Sequence, residues 1–225
     1  MIGMIDVFQW IAAVFAAAGE VMTLRDGVTP VPSFDIAVGI AFLAGASTLL
    51  GHGAVLFINR IKGLRGAAAL ALSGVILVLL YVVQAAILFV VAPLVTGTHL
   101  PLTTVIAIAL TSTAPMLFGV FEFVPVLGLI FGKFLSAWGF VVLWTLIVTA
   151  YETTPLRALI AGGTGWLIMH LLSILFGPRI ARVTGRVWQW VTGVPTEMTA
   201  RDILSGTPMI PVSPRELTAT SEDVS

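Results

Sequence analysis

The chain has 225 residues, of which 58% are hydrophobic and only 10% charged, and its mean hydropathy is +1.08. Soluble domains carry about 25% charged residues, so this composition excludes an ordinary soluble domain and predicts an integral membrane protein. The 11 basic and 11 acidic residues cancel, and the lack of cysteine excludes disulfides, thiol catalysis and cysteine-based metal sites.

A long uncharged stretch, from Gly66 to Phe121, shows how the chain crosses the membrane. A bilayer core about 30 Å thick needs about 20 apolar residues in a helix, so the stretch is long enough to cross twice. Breakers and small polar residues from Thr96 to Pro101 mark a turn in its middle. No segment alternates apolar and polar residues as a barrel strand would, so we predict an all-α integral membrane helix bundle. Its five transmembrane helices are expected at residues 36–58, 66–95, 102–120, 129–150 and 158–177.

The N-terminal segment, residues 1–35, is apolar but carries Asp6, Gln9 and Glu20 before a connector. On a helix these polar residues fall near one stripe, which favours an amphipathic helix lying in the membrane interface. A sixth span is the alternative, because Trp10 to Gly19 is wholly uncharged.

Positive charges indicate the orientation of the bundle. They form two clusters, Arg60, Lys62 and Arg65, and Arg179, Arg182 and Arg186. Five spans place both clusters on one side, which the positive-inside rule makes cytoplasmic, or stromal in a thylakoid. The C-terminal tail, residues 193–225, is expected on that side, extended or bound to a partner. Because orientation accounts for these charges, no nucleic-acid partner is predicted.

Residues 178–192 are predicted to form a separate basic amphipathic helix after the last span. Trp188 and Trp190 add interfacial aromatic rings to its arginines. Such a helix should lie on anionic lipid, with each arginine contributing about 1 kcal/mol near the surface.

Three polar side chains lie within the predicted hydrophobic segments: His52, Gln84 and His170. Polar groups are costly inside a bilayer, so they are candidates for function. The favoured interpretation is structural: each histidine bonds a backbone carbonyl or hydroxyl of a neighbouring helix, and Gln84, one turn after Tyr81, joins two helices. The alternative is a polar path through the bundle, helped by kinks at Pro93 and Pro115.

Motifs of catalysis are missing from the sequence. It contains no HExxH, no GxSxG and no pair of carboxylates in a span. Gly162 to Gly165 lies within an apolar span and has no lysine after it, which favours close helix packing over phosphate binding. We therefore predict neither an enzyme nor a cofactor or metal site, and an intramembrane enzyme is the least favoured hypothesis.

The part of the chain from about Ala68 to Phe176 resembles the Yip1-domain family of multi-span membrane proteins. The resembling features are Ser112-Thr113-Ala114-Pro115, Phe123-Val124-Pro125-Val126-Leu127-Gly128, Trp138 in the next span, and Pro155-Leu156-Arg157-Ala158-Leu159. The resemblance implies a five-helix, non-enzymatic protein that acts through partners in membrane organisation, trafficking or complex assembly. The basic segment and tail are additions, and the charges predict the orientation opposite to the one usual in that family.

We expect a non-enzymatic accessory subunit, assembly factor or membrane-organising scaffold that binds a membrane-protein partner or a second copy of itself. A small transporter or channel is the alternative function. The abundance of alanine and glycine favours a bacterial inner membrane or a thylakoid over the Golgi.

Overall fold

The computed structural model describes residues 2–23, 31–51, 63–123 and 127–192, and all regular structure within these ranges is helical. The helices are α1 (Ile2–Thr23), α2 (Phe34–Gly51), α3 (Leu64–Thr96), α4 (Leu102–Thr111), a 3-10 helix (Ala114–Phe123), α5 (Leu127–Ala150) and α6 (Pro155–Thr192). Five segments are long and apolar enough to cross a membrane: Phe34–Gly51, Gly66–Thr96, Leu102–Phe123, Ile130–Ala150 and Pro155–Phe176. The predicted all-α class and the five apolar spans are confirmed at this level.

The third of these spans, Leu102–Phe123, is the first departure from the expected layout. Instead of one kinked α-helix it contains α4 and the 3-10 helix, joined at Ser112 and Thr113. Pro115 has no N–H with which to continue an α-helical ladder from α4, which explains the position of the break. The third span is therefore discontinuous.

The last helix, α6, is the second departure. We expected Pro178 to begin a separate basic helix, but α6 runs without a break from Pro155 to Thr192. The basic segment at residues 178–192 is thus the continuation of the last span. The predicted end of the first span, at residue 58, and the tail at residues 193–225 lie outside the described residues.

The helix α2 lies at the centre of the bundle. It packs against α1, α3, α4 and the 3-10 helix, while α3 packs along α6 and α5 packs against the 3-10 helix and α6. The largest buried cluster joins α3, α4, α5 and α6 around Leu88, Ile108, Leu146 and Tyr151. In the part of the chain that the structure describes, α2 is the element that connects the two halves of the bundle.

The first helix, α1, contributes to the core. Its Val14 and Ala18 are buried with Ile40 of α2 and Ala114 of the 3-10 helix. Its apolar part, Val7–Thr23, is shorter than the five spans. The helix itself is confirmed, and its position in the interface stays a prediction.

Glycines allow α2 and α3 to approach each other closely. A Cβ atom on Gly45 would lie 2.8 Å from both the Cα atom of Gly74 and the carbonyl oxygen of Ser73. Ser73 fastens the same contact, because its hydroxyl donates to the Gly45 carbonyl oxygen at 2.8 Å. Helices in membranes associate through such close packing and hydrogen bonds, since lipid tails are as apolar as the helices themselves.

The substitution Gly45→Ala is therefore expected to lower the free energy of unfolding by about 1 to 3 kcal/mol, because the backbones of α2 and α3 must separate. Gly19→Ala is the matched control, since a Cβ atom there meets nothing within 4 Å. That change should leave stability equal or raise it by up to about 1 kcal/mol through helix propensity. Unfolding in detergent titrated with dodecyl sulfate, followed by circular dichroism, measures both. Equal effects would contradict the close contact.

Tyr151 carries a second prediction about stability. Its side chain is 2% exposed, and its hydroxyl has no hydrogen-bond partner among the described residues. Deleting an unsatisfied buried hydroxyl removes a desolvation cost, so Tyr151→Phe should keep or raise the free energy of unfolding, by about 1 kcal/mol. Tyr81→Phe is the control that should lose stability slightly, because the Tyr81 hydroxyl contacts the sulfur of Met116 at 3.8 Å.

The pH dependence of Tyr151 tests the same burial. Burial raises the pKa of Tyr151 to about 12, above the value of about 10 expected when the chain is unfolded. The folded protein then holds a proton that the unfolded chain releases, so stability present below pH 10 should fall as the pH rises towards 12. The fall should be smaller in Tyr151→Phe, measured as unfolding free energy against pH, and an unchanged slope would contradict the buried phenol.

Candidate interaction surface

The last span presents a wide face that the described part of the chain does not cover. Four of its large apolar side chains are more than half exposed: Trp166, Leu167, Leu171 and Ile174. Spacings of three and four residues put them on one side of α6, together with His170. These five residues are called the α6 face below.

His170 is the polar group on the α6 face. Its ring is exposed and stacks on Trp166, one turn earlier, with centroids 5.5 Å apart and planes parallel within 1°. It forms no hydrogen bond with any residue that the structure describes. Stacking covers one ring face and leaves the nitrogens at the ring edge available to another molecule.

The expected role of His170 was therefore wrong. We predicted a hydrogen bond to a neighbouring helix of the same chain, but the imidazole lies on the outside of the bundle. Because α6 is apolar on many sides within its span, the sequence could not show which side faces inward. Trp166 was missed as its neighbour, although the spacing of four residues is the signal that could have found it.

Gln84 and His52 are not brought into a polar path with His170. Gln84 is half-buried on α3, whereas His170 lies on the outer surface of α6. The contact expected of the pair Gln84 and Tyr81 is made by Tyr81, whose hydroxyl lies 3.8 Å from the Met116 sulfur. His52 lies outside the described residues.

The buried polar groups of the bundle lie elsewhere, at the break in the third span. Thr111, Ser112 and Thr113 are at most 2% exposed. The Ser112 hydroxyl donates to the Ala109 carbonyl oxygen and the Thr113 hydroxyl to that of Leu110, both at 2.7 Å. Thr111 Oγ1 has no hydrogen-bond partner among the described residues. Three hydroxyl residues before a proline in an apolar stretch are the signal that the sequence offered.

Most of the predicted lipid-contacting side chains lie outside what the structure describes. Arg186 is exposed on the continuation of α6. For five others the structure gives only the helical backbone: Arg65, Arg179, Arg182, Trp188 and Trp190. Arg60 and Lys62 lie in the undescribed residues 52–62.

An aromatic row links the 3-10 helix to α5. Its members are Phe118, Phe121, Phe131, Phe134 and Trp138, and each ring centroid lies between 5.4 and 6.4 Å from the next. Such distances are those of stacked and edge-to-face aromatic pairs. Four of the five side chains are exposed, so the aromatic row forms a second apolar surface.

Within the described ranges, no three histidine or acidic side chains lie close enough together to hold a metal ion. Comparison with protein-family models, with curated protein sequences and with solved structures finds no match to this chain. The class that the fold defines is thus a helical protein with five helices suited to crossing a membrane.

Proposed function

We propose that the chain is a non-enzymatic, multi-pass membrane protein that serves as an accessory subunit, assembly factor or scaffold, and that it binds a membrane-protein partner through the α6 face. The observation that supports this function is the exposed His170 stacked on Trp166 within an apolar span. The Yip1-domain resemblance agrees with a partner-dependent role and is part of the proposal.

The energetic reason lies in the solvent that a membrane provides. Lipid tails offer no hydrogen-bond partner, so an imidazole exposed at that depth is costly. A facing helix with a hydroxyl, amide or carboxyl group can supply the missing bond, and such bonds contribute about 0.6 to 2 kcal/mol in membranes. The neighbouring Trp166, Leu167 and Leu171 add apolar contact area for the same helix.

The orientation belongs to the same proposal. The basic residues of the α6 continuation, among them the exposed Arg186, lie at the cytoplasmic or stromal face, where anionic headgroups attract them. This places the C-terminal tail on that side, in a bacterial inner membrane or a thylakoid. Because α6 is continuous, the basic segment leaves the bilayer as an extension of the last span, about 24 Å long for the 16 residues after Phe176.

A small-solute transporter is the second candidate, and the discontinuous third span favours it. Transporters often place their binding sites at broken helices near the membrane midplane. Here the break carries the three buried residues Thr111, Ser112 and Thr113. A liposome flux assay with ions and small polar solutes separates this candidate, since the scaffold function requires no flux.

Site-directed crosslinking tests the proposed function, and the absence of native cysteine makes single-cysteine variants simple. Leu167→Cys on the α6 face should give a crosslinked product with a membrane-protein partner in the native membrane. Leu79→Cys is the matched control, because Leu79 is similarly exposed, at 59%, on the aliphatic face of α3. Mass spectrometry identifies the partner. Equal labelling from both positions, or none from Leu167→Cys, would refute the assignment of the α6 face.

His170→Leu should weaken the same complex about three- to tenfold, because it deletes the polar contact while keeping the apolar area. The measurement is the fraction of the chain that co-migrates with its partner in a native gel under mild detergent. Leu171→Ala serves as the control for lost apolar area alone. A complex that is unchanged by His170→Leu would show that the imidazole does not contribute to binding.

A further inference from the structure

The hydroxyl of Ser47 on α2 lies between two backbone groups of the 3-10 helix. It donates to the Leu117 carbonyl oxygen at 2.6 Å and accepts from the Val120 N–H at 3.0 Å. Val120 is three residues after Leu117, so these are the two groups that an i→i+3 bond of a 3-10 helix would join. Ser47 therefore bridges one rung of the 3-10 ladder from outside.

Glycines bring α2 close enough for this bridge. A Cβ atom on Gly119 would lie 2.9 Å from the Cα atom of Thr48, and one on Gly51 would collide with the Gly119 carbonyl oxygen. The contact thus fits only the present course of the 3-10 backbone. The 3-10 conformation of this segment is held by α2 and not by its own sequence alone.

The 3-10 helix is unusually long. It has ten residues, whereas runs of more than three or four are uncommon because the hydrogen-bond geometry is poorer than in an α-helix. Pro115 lies in its first turn, where an α-helix also tolerates proline. At the junction with α4, the buried Thr111 hydroxyl has no partner among the described residues. Neither observation indicates a segment limited to one conformation.

We infer that residues 114–123 have two conformations, the 3-10 helix held by Ser47 and an α-helix that forms when this contact opens, so that the third span is a switch within the bundle. The inference does not depend on the proposed function. The α form rises about 1.5 Å per residue instead of about 2.0 Å, so the segment shortens by about 5 Å over its ten residues.

The change would reach the surface through the aromatic row. An α-helix turns about 100° per residue and a 3-10 helix about 120°, so the side chains on the segment rotate as it shortens. Phe121 now meets Phe131 of α5 edge to face, with centroids 6.4 Å apart. Rotation of Phe121 breaks this pair and divides the row. The switch therefore connects the buried Ser47 contact to an exposed aromatic surface.

Distance measurement by double electron–electron resonance tests the switch in the full chain reconstituted in liposomes. Spin labels at Leu102→Cys and Phe123→Cys mark the two ends of the third span, and both sites are exposed. The wild-type background should show a main distance and a minor population about 5 Å shorter. Ser47→Ala should make the shorter distance the main one, because the bridge is lost. Gly119→Ala should shift the population in the same direction, since it forces Thr48 away and favours an α-helix.

Two controls separate the switch from a loss of structure. Ser136→Ala removes a hydroxyl that bonds only within α5, to the Gly132 carbonyl oxygen, and should leave the distances unchanged. Labels at Ile130→Cys and Val141→Cys, both on α5, should keep one distance in every variant. If the wild type and the folded variants all show a single unchanged distance across the third span, the inference is overturned. The wild-type measurement alone decides it should neither Ser47 nor Gly119 variant fold, because a missing shorter population refutes the second conformation.

Discussion

The close approach of α2 to its neighbours is the constraint on which the bundle depends. Between apolar helices in a bilayer the hydrophobic effect gives little attraction, so backbone proximity and hydrogen bonds must hold the helices together. Gly45 opens this approach towards α3, and Ser73 secures it with a bond to the Gly45 carbonyl oxygen. Ser47 does the same towards the 3-10 helix. One helix with small residues on two sides therefore joins both halves of the fold.

The broken third span follows from the same constraint. A bilayer offers no water to bond free backbone groups, so irregular backbone is tolerated only where protein covers it. Here α2 supplies Ser47, and the local hydroxyls of Ser112 and Thr113 bond carbonyl oxygens one turn earlier. Gly139 of α5 lies against the Ser112 carbonyl oxygen, where a Cβ atom would come within 2.9 Å. The break is thus enclosed from two sides, which explains why it can lie inside an apolar segment.

The sequence alone predicted the spans that hydropathy marks and missed what distant contacts decide. The bounds of α3 and α5 agree with expectation within about two residues, because breakers flank uniformly apolar runs there. Pro115 predicted a kink, but the 3-10 conformation depends on Ser47, which lies far away in the chain. The continuation of α6 through Pro178 also contradicts a local rule. The outward position of His170 was not predictable, since a helix apolar on many sides has no clear inner face.

A comparison of α3 and α6 explains why their exposed faces need different surroundings. On α3 the most exposed large side chains are aliphatic, at Leu79, Val90 and Leu94, and acyl chains can solvate them without loss. On α6 the exposed face adds an imidazole stacked on an indole, and acyl chains cannot bond its nitrogens. Both helices are equally apolar in their spans by composition, so overall hydropathy does not distinguish the two faces. The side-chain chemistry does, and it makes α6 the side of the bundle at which a protein neighbour gains more than lipid.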